Sequence, residues 1–191
     1  MENIIRQQLC RLPKVATITF LSDRVFKMNT PPPLSEAHCN RRPQRVLIVC
    51  MGNICRSPTA EEVLRSRIQE AGLPIQVDSA GTEDYHVGSA PDTRSIQHAQ
   101  RRGYDLTRLR ARQVSRSDFS EFDLILAADT ENLAQLKRRC PSEHQHKLSL
   151  FLENAPVPDP YFGGLEGFEE VLDLIESRAA DLVKRWSGAP A

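Results

Sequence analysis

Four short apolar runs, separated by longer stretches with helical spacing, limit what this chain can fold into more than any other feature. Val46-Leu47-Ile48-Val49 is a continuous aliphatic run of the kind found in strands covered on both faces. Ile75 to Ser79, Leu124 to Ala127 and Leu148 to Leu152 are three further candidates. After the first run, Pro58 opens a helical pattern through Ala60, Val63, Leu64 and Ile68 that Gly72 ends. Asp92 to Arg102 reads as a helix closed by Gly103, and Thr130 to Arg139 as one capped by Asp129. A last helix is predicted from about Phe168 to Trp186. This alternation predicts an α/β fold: a single three-layer domain, a four-stranded parallel sheet with helices on both faces.

Composition narrows the function classes. The 191 residues suffice for one such domain. Lys plus Arg and Asp plus Glu are both 25, so no global charge draws the chain to nucleic acid or an anionic membrane. No apolar run approaches the roughly 20 residues of a membrane span. Five cysteines (Cys10, Cys39, Cys50, Cys55, Cys140) are too sparse for a secreted disulfide framework, which predicts reduced thiols and a cytoplasmic location. Charge is uneven, however. Residues 1–45 carry eight basic side chains and three acids, while 46–191 carry 17 and 22. With Pro31-Pro32-Pro33, residues 1–44 read as a flexible basic leader, and 45–191 as the domain. Organelle targeting, or a start assigned too early with Met28 as the alternative, are the other readings of that leader.

Chemistry concentrates in the segment from Cys50 to Pro58. An apolar strand delivers Cys50 at its C-terminal end, five residues intervene, and Arg56-Ser57 lead into a helix. Ligands in open α/β sheets bind at that edge, and a helix N-terminus presents free N–H groups and a positive dipole end. Met51, Gly52, Asn53, Ile54 and Cys55 can curl their amides into a cup for a tetrahedral oxyanion. Gly52 is expected to allow a turn that a Cβ would hinder, and Asn53 to hold the loop by side-chain hydrogen bonds or a left-handed backbone. The same field favours the thiolate of Cys50, the nucleophile. Arg56 offers a planar fork for two phosphoryl oxygens, and Ser57 a hydrogen bond to the sulfur. No metal or cofactor is called for.

The run Cys-Met-Gly-Asn-Ile-Cys-Arg-Ser-Pro, from Cys50 to Pro58, resembles the signature of the low-molecular-weight protein tyrosine phosphatase family. Asp78-Ser79-Ala80-Gly81-Thr82, Ala111-Arg112-Gln113 and Val157-Pro158-Asp159-Pro160-Tyr161 follow in the family's order, so the resemblance covers roughly 46–186. It implies a phosphotyrosine phosphatase that works through a phosphocysteine, with Cys50 as nucleophile, Arg56 as phosphate ligand and Asp159 as general acid. Prolines 158 and 160 stiffen the backbone around that acid. Tyr85 and Tyr161 match family positions on the rim of the slot, and Ile54 stands where arginine-phosphate-specific members carry threonine. Cys55 is implied as a partner for an oxidised Cys50. Two departures stand out: Phe162 where many members have a second tyrosine, and Leu109 where many have a histidine bonded to the loop network. The network around Asn53 and Ser57 is therefore expected to be supported differently.

The implied partners are tyrosine-phosphorylated proteins, and the implied assembly is a monomer or weak dimer. Two alternatives stand beside this reading. One is an arsenate reductase on the same scaffold, for which Cys140 is the only cysteine in 125–145 available as a relay. The other is a non-catalytic phosphoprotein-binding module, which predicts loss of the nucleophile or the acid. Cys50, Cys55 and Cys140 with His144 or His146 are a further candidate set, for zinc. Arg101-Arg102 and Arg108 to Arg112 read as a solvated basic face, with Arg112 a candidate structural residue. Deleting residues 1–44 is expected to leave turnover of a small phosphoester unchanged, measured against the full chain.

Overall fold

The computed structural model describes residues 42–188; the leader reading lies outside them except for its last three residues. Along the chain run β1 (Arg45–Cys50), α1 (Arg56–Glu70), β2 (Gln76–Gly81), α2 (Thr93–Arg101) and α3 (Asp118–Glu121). Next come β3 (Leu124–Ala127), α4 (Thr130–Arg139), a 3-10 segment (Ser142–Lys147), β4 (Leu148–Leu150) and α5 (Leu165–Gly188). The sheet has the order β2-β1-β3-β4, and every pairing is parallel. The α/β expectation holds.

Side-chain alternation along the strands divides the core in two. Val46, Ile48 and Cys50 of β1 and Leu124 and Leu126 of β3 pack with Ala60, Val63 and Leu64 of α1 and Ile175, Leu182 and Trp186 of α5. Leu47 and Val49, with Ile125 and Ala127, face the other way toward Phe119, Phe122 and Leu136. A strand buried on both faces must be apolar throughout, which is why β1 and β3 read as unbroken runs. In this strand order the direction of winding reverses between β1 and β3, where their C-terminal ends leave a crevice.

Boundaries shift for local reasons. α1 begins at Arg56, two residues before Pro58, because a first-turn residue needs no intrahelical N–H donor. β2 starts at Gln76 and continues to Gly81, since Cys50 pairs with Gly81. β4 stops at Leu150, the residue paired with Ala127 at the end of β3. Helix α5 starts at Leu165, a few residues ahead of Phe168. Asp92 and Asp129 cap α2 and α4 by accepting from Arg94 N and Asn132 N, and Gly72 and Gly103 follow α1 and α2 with φ of +64° and +89°. Among the described residues no helix is long and apolar enough to cross a membrane.

Leu126 is fully buried between the β3 backbone and the α1–α5 layer. Leu126→Ala is expected to cost about 2–5 kcal/mol through lost burial and a residual cavity. Urea unfolding would read this as a lower midpoint at an unchanged m-value.

Candidate active site

The crevice between β1 and β3 holds the loop that follows β1. Cys50 is the last residue of β1 and is buried. Two backbone bonds splice the loop onto the end of β2: Thr82 N donates to Cys50 O (2.8 Å) and Glu83 N to Met51 O (3.0 Å). The approach is close enough that a Cβ on Gly81 would lie 2.6 Å from Met51 O. The turn expected at Gly52 is corrected: its φ is not positive, and the atom nearest a Cβ there is His86 Cδ2, at 2.8 Å, a side chain rather than backbone. The backbone reversal falls instead on Asn53, with φ of 55°, a conformation that L-residues with a Cβ adopt at a cost.

Asn53 is held there by its own side chain. Its Nδ2 donates to Ser57 Oγ and to Ser79 Oγ, both at 2.8 Å, and its Oδ1 accepts from Arg112 N at 2.9 Å. Both amide protons are thereby used, and each serine oxygen has accepted. Ser79 gives its one proton to Glu61 Oε2 (2.5 Å). Ser57 Oγ keeps its proton for the Cys50 sulfur at 3.1 Å or for Ala80 O at 3.3 Å. Glu61 is buried, and burial pushes its carboxyl above the usual range against the opposing pull of Ser79 and Arg65. Leu109 packs as a partly buried apolar residue on the α1–α5 side of the core, and the network from Asn53 through Ser79 ends at Glu61 on α1. Arg112 is structural as expected: its guanidinium bridges Asp78 (2.8 Å) and Asp118 (3.0 Å), which fixes the amide that Asn53 grips.

Arg56 stands at the start of α1 with almost no exposed surface. One terminal nitrogen donates to Asp129 Oδ2 at 2.6 Å, the other to Asp159 Oδ2 at 2.8 Å. Burial opposes its charge, but the neighbouring Cys50, Asp159 and Asp129 outweigh that and hold the guanidinium above its ordinary value. Asp159 also accepts from Tyr161 N at 3.1 Å through Oδ1. Its loop is anchored by Val157 N on Ala128 O (2.7 Å) and, nearer β4, by Arg178 on Phe151 O (2.7 Å) and Glu153 (3.0 Å).

These elements enclose a cavity of about 250 Å³. Cys50, Met51, Gly52, Ile54, Cys55, Arg56, Asp159, Tyr85 and Tyr161 line it, all expected from the sequence, together with His86 and Phe162. Asn53 and Ser57 lie behind the wall, in the network just described. Asp129 and Glu61 are the residues that sequence reasoning missed. The sequence marks Asp129 only as a cap, and Glu61 gives no local sign beyond an acid among the apolar positions of α1. Burial pushes the Cys55 thiol up to about 12, with Ser95 as its hydrogen-bond partner. Cys50, Cys55 and Cys140 are all free thiols. Cys140 packs with Leu136 in the cluster on the opposite sheet face, so it neither reaches the cavity nor completes a cation site with the loop cysteines.

Replacing Asn53 separates its two contributions. Asn53→Gly loses the side-chain bonds but tolerates the backbone, while Asn53→Ala loses both. In chemical denaturation the Ala variant is expected to be less stable than the Gly variant by about 1 kcal/mol, and both less stable than the parent.

Comparison with known proteins places these features in a group. The model of the family described as low molecular weight phosphotyrosine protein phosphatase matches residues 45–188. A low molecular weight protein-tyrosine-phosphatase of Streptomyces coelicolor is 42% identical over 150 residues, covering 73% of this chain and 91% of that one. A Schizosaccharomyces pombe low molecular weight phosphotyrosine protein phosphatase is 44% identical over 133 residues, with 65% and 85% covered. Among solved structures, a low molecular weight phosphotyrosine phosphatase from Vibrio cholerae superposes with a TM-score of 0.73 at 44% identity, covering 76% of this chain and 97% of that chain. With a family model matched over 45–188 and relatives above 40% identity, the chain belongs to the low molecular weight phosphotyrosine protein phosphatase family.

Proposed function

We propose that this protein hydrolyses phosphotyrosine in proteins, with Cys50 as nucleophile, Arg56 as phosphate clamp and Asp159 as proton donor and acceptor. The observation that carries this is the convergence of Cys50 and Arg56, from the loop after β1, with Asp159, 103 residues beyond Arg56, on one cavity walled by Tyr85 and Tyr161. The first-turn amides of α1 have no intrahelical acceptor, and together with the curled loop they suit a tetrahedral dianion. Asp129 keeps one side of the Arg56 fork fixed. The Asp159 side is exchangeable: an entering phosphoryl group takes over that nitrogen, and the displaced carboxyl, protonated, faces the leaving oxygen.

In the first step the Cys50 sulfur attacks phosphorus, the P–O bond to the tyrosyl oxygen breaks, and the Asp159 proton passes to that oxygen. In the second, water attacks phosphorus, Asp159 takes its proton, the P–S bond breaks and inorganic phosphate leaves. Ser57 hydrogen-bonds the departing sulfur. Met51, Gly52, Ile54 and Cys55 shape the cup, and Asn53 holds it. Condensation of Cys55 with an oxidised Cys50, releasing water, belongs to the same reading. The domain assignment of 45–191 and a basic leader at 1–44 complete the proposal, and arsenate reduction is disfavoured by the place of Cys140 across the sheet.

Steady-state turnover of p-nitrophenyl phosphate tests the assignment. Cys50→Ser is expected to abolish it. Asp159→Ala is expected to lower kcat by roughly 10²–10⁴-fold while competitive inhibition by inorganic phosphate stays within a few-fold of the parent. Parent-like kcat in Asp159→Ala overturns its role as the acid.

A further inference from the structure

The cavity accounts for the phosphate and the ring, but its surroundings carry more apolar surface than a single ring needs. Among the described residues, the exposed large apolar side chains are Met51, Tyr85, Val87, Tyr161 and Phe162. Four of these line the mouth of the cavity that holds Cys50, and Val87 stands one residue beyond His86 in the same turn. Tyr85, Val87 and Phe162 are 72%, 58% and 90% exposed. Phe162 meets Tyr161 edge to face, with ring centroids 5.0 Å apart, and contributes almost nothing to the core. Exposed apolar groups scattered singly need no explanation, whereas a collection around one opening marks a contact surface.

Charge at the opening points the same way. Arg94, whose guanidinium lies 5.5 Å from the Tyr161 ring centre, is already paired with Asp92 through two bonds of 3.0 and 2.9 Å. An acidic side chain beside the phosphotyrosine would meet a committed arginine, while an aliphatic one would meet Phe162 and Val87.

Resting on the phosphatase reading above, we propose that this rim selects substrates whose residues flanking the phosphotyrosine are bulky and apolar. The occupant is the substrate polypeptide itself, because the patch is continuous with the cavity that receives its phosphotyrosine.

Three phosphotyrosyl peptides of equal length test this, with Leu, Ser or Glu on both sides of the phosphotyrosine, alongside p-nitrophenyl phosphate. The Leu peptide is expected to exceed the Glu peptide by about tenfold in kcat/KM, the return for half-burying a large aliphatic side chain, with the Ser peptide between them. Val87→Asp is expected to cut that ratio at least threefold while p-nitrophenyl phosphate turnover stays within twofold of the parent. Phe162→Ser should cut the ratio as well. A parent ratio within twofold of unity, a preference for Glu, or a ratio unmoved by both variants overturns the rim proposal alone. Failure of the parent on p-nitrophenyl phosphate overturns the phosphatase reading beneath it. Sedimentation in the same buffer should show a monomer. A dimer that Val87→Asp dissociates gives the patch to a second copy and overturns the proposal.

Discussion

The site depends on one awkward residue conformation. To turn its amides inward, the loop after β1 must reverse at a residue with positive φ, and Asn53 occupies that point at 55°. A glycine would adopt it with less strain but would leave the loop untied. Asn53 instead spends both amide protons on Ser57 and Ser79 and turns its carbonyl oxygen to the Arg112 amide, so the strained residue is also firmly anchored. The consequence reaches the sulfur. Because Asn53 supplies the proton that Ser57 Oγ accepts, the serine hydroxyl is left to point at Cys50 or Ala80 O.

Topology brings the remaining groups to this loop. β1 and β3 are neighbours that wind in opposite directions, and the chain leaves both at the same edge. Cys50 ends one strand, and Asp129 follows the other by two residues. Asp159 comes later, on a loop fastened to the end of β3 through Val157 and secured on α5 by Arg178. No element of the site relies on a long unsupported segment. Hydrogen-bonded backbone holds the phosphate end, and the exposed side chains of Tyr85 and Phe162 sit at the entrance.

What the chain disclosed in advance follows from the range of each interaction. The Cys50–Ser57 segment was legible because nucleophile, cup and arginine are contiguous, and the strands were legible because burial on both faces demands unbroken apolar runs. The dual use of Asp129 was not, since the Arg56 contact spans 73 residues and leaves no local pattern. Glu61 was hidden similarly: its value lies in a bond to Ser79, 18 positions away on a strand. The turn expected at Gly52 falls on Asn53, whose partners Ser79 and Arg112 lie on other segments. The short α3 and the 3-10 segment escaped notice because a single turn has too few residues for a period to show.

Asp129 uses one oxygen to cap α4, through Asn132 N, and the other to hold Arg56. Each lone-pair set answers to a different master, yet both belong to one side chain. An aliphatic replacement at this position removes both contacts at once, whereas Asn or Ser keeps the cap of a helix on the far side of the sheet and gives up only the charge facing the guanidinium. Position 129 thus ties the orientation of the anion-binding guanidinium to the register of α4 through one carboxylate.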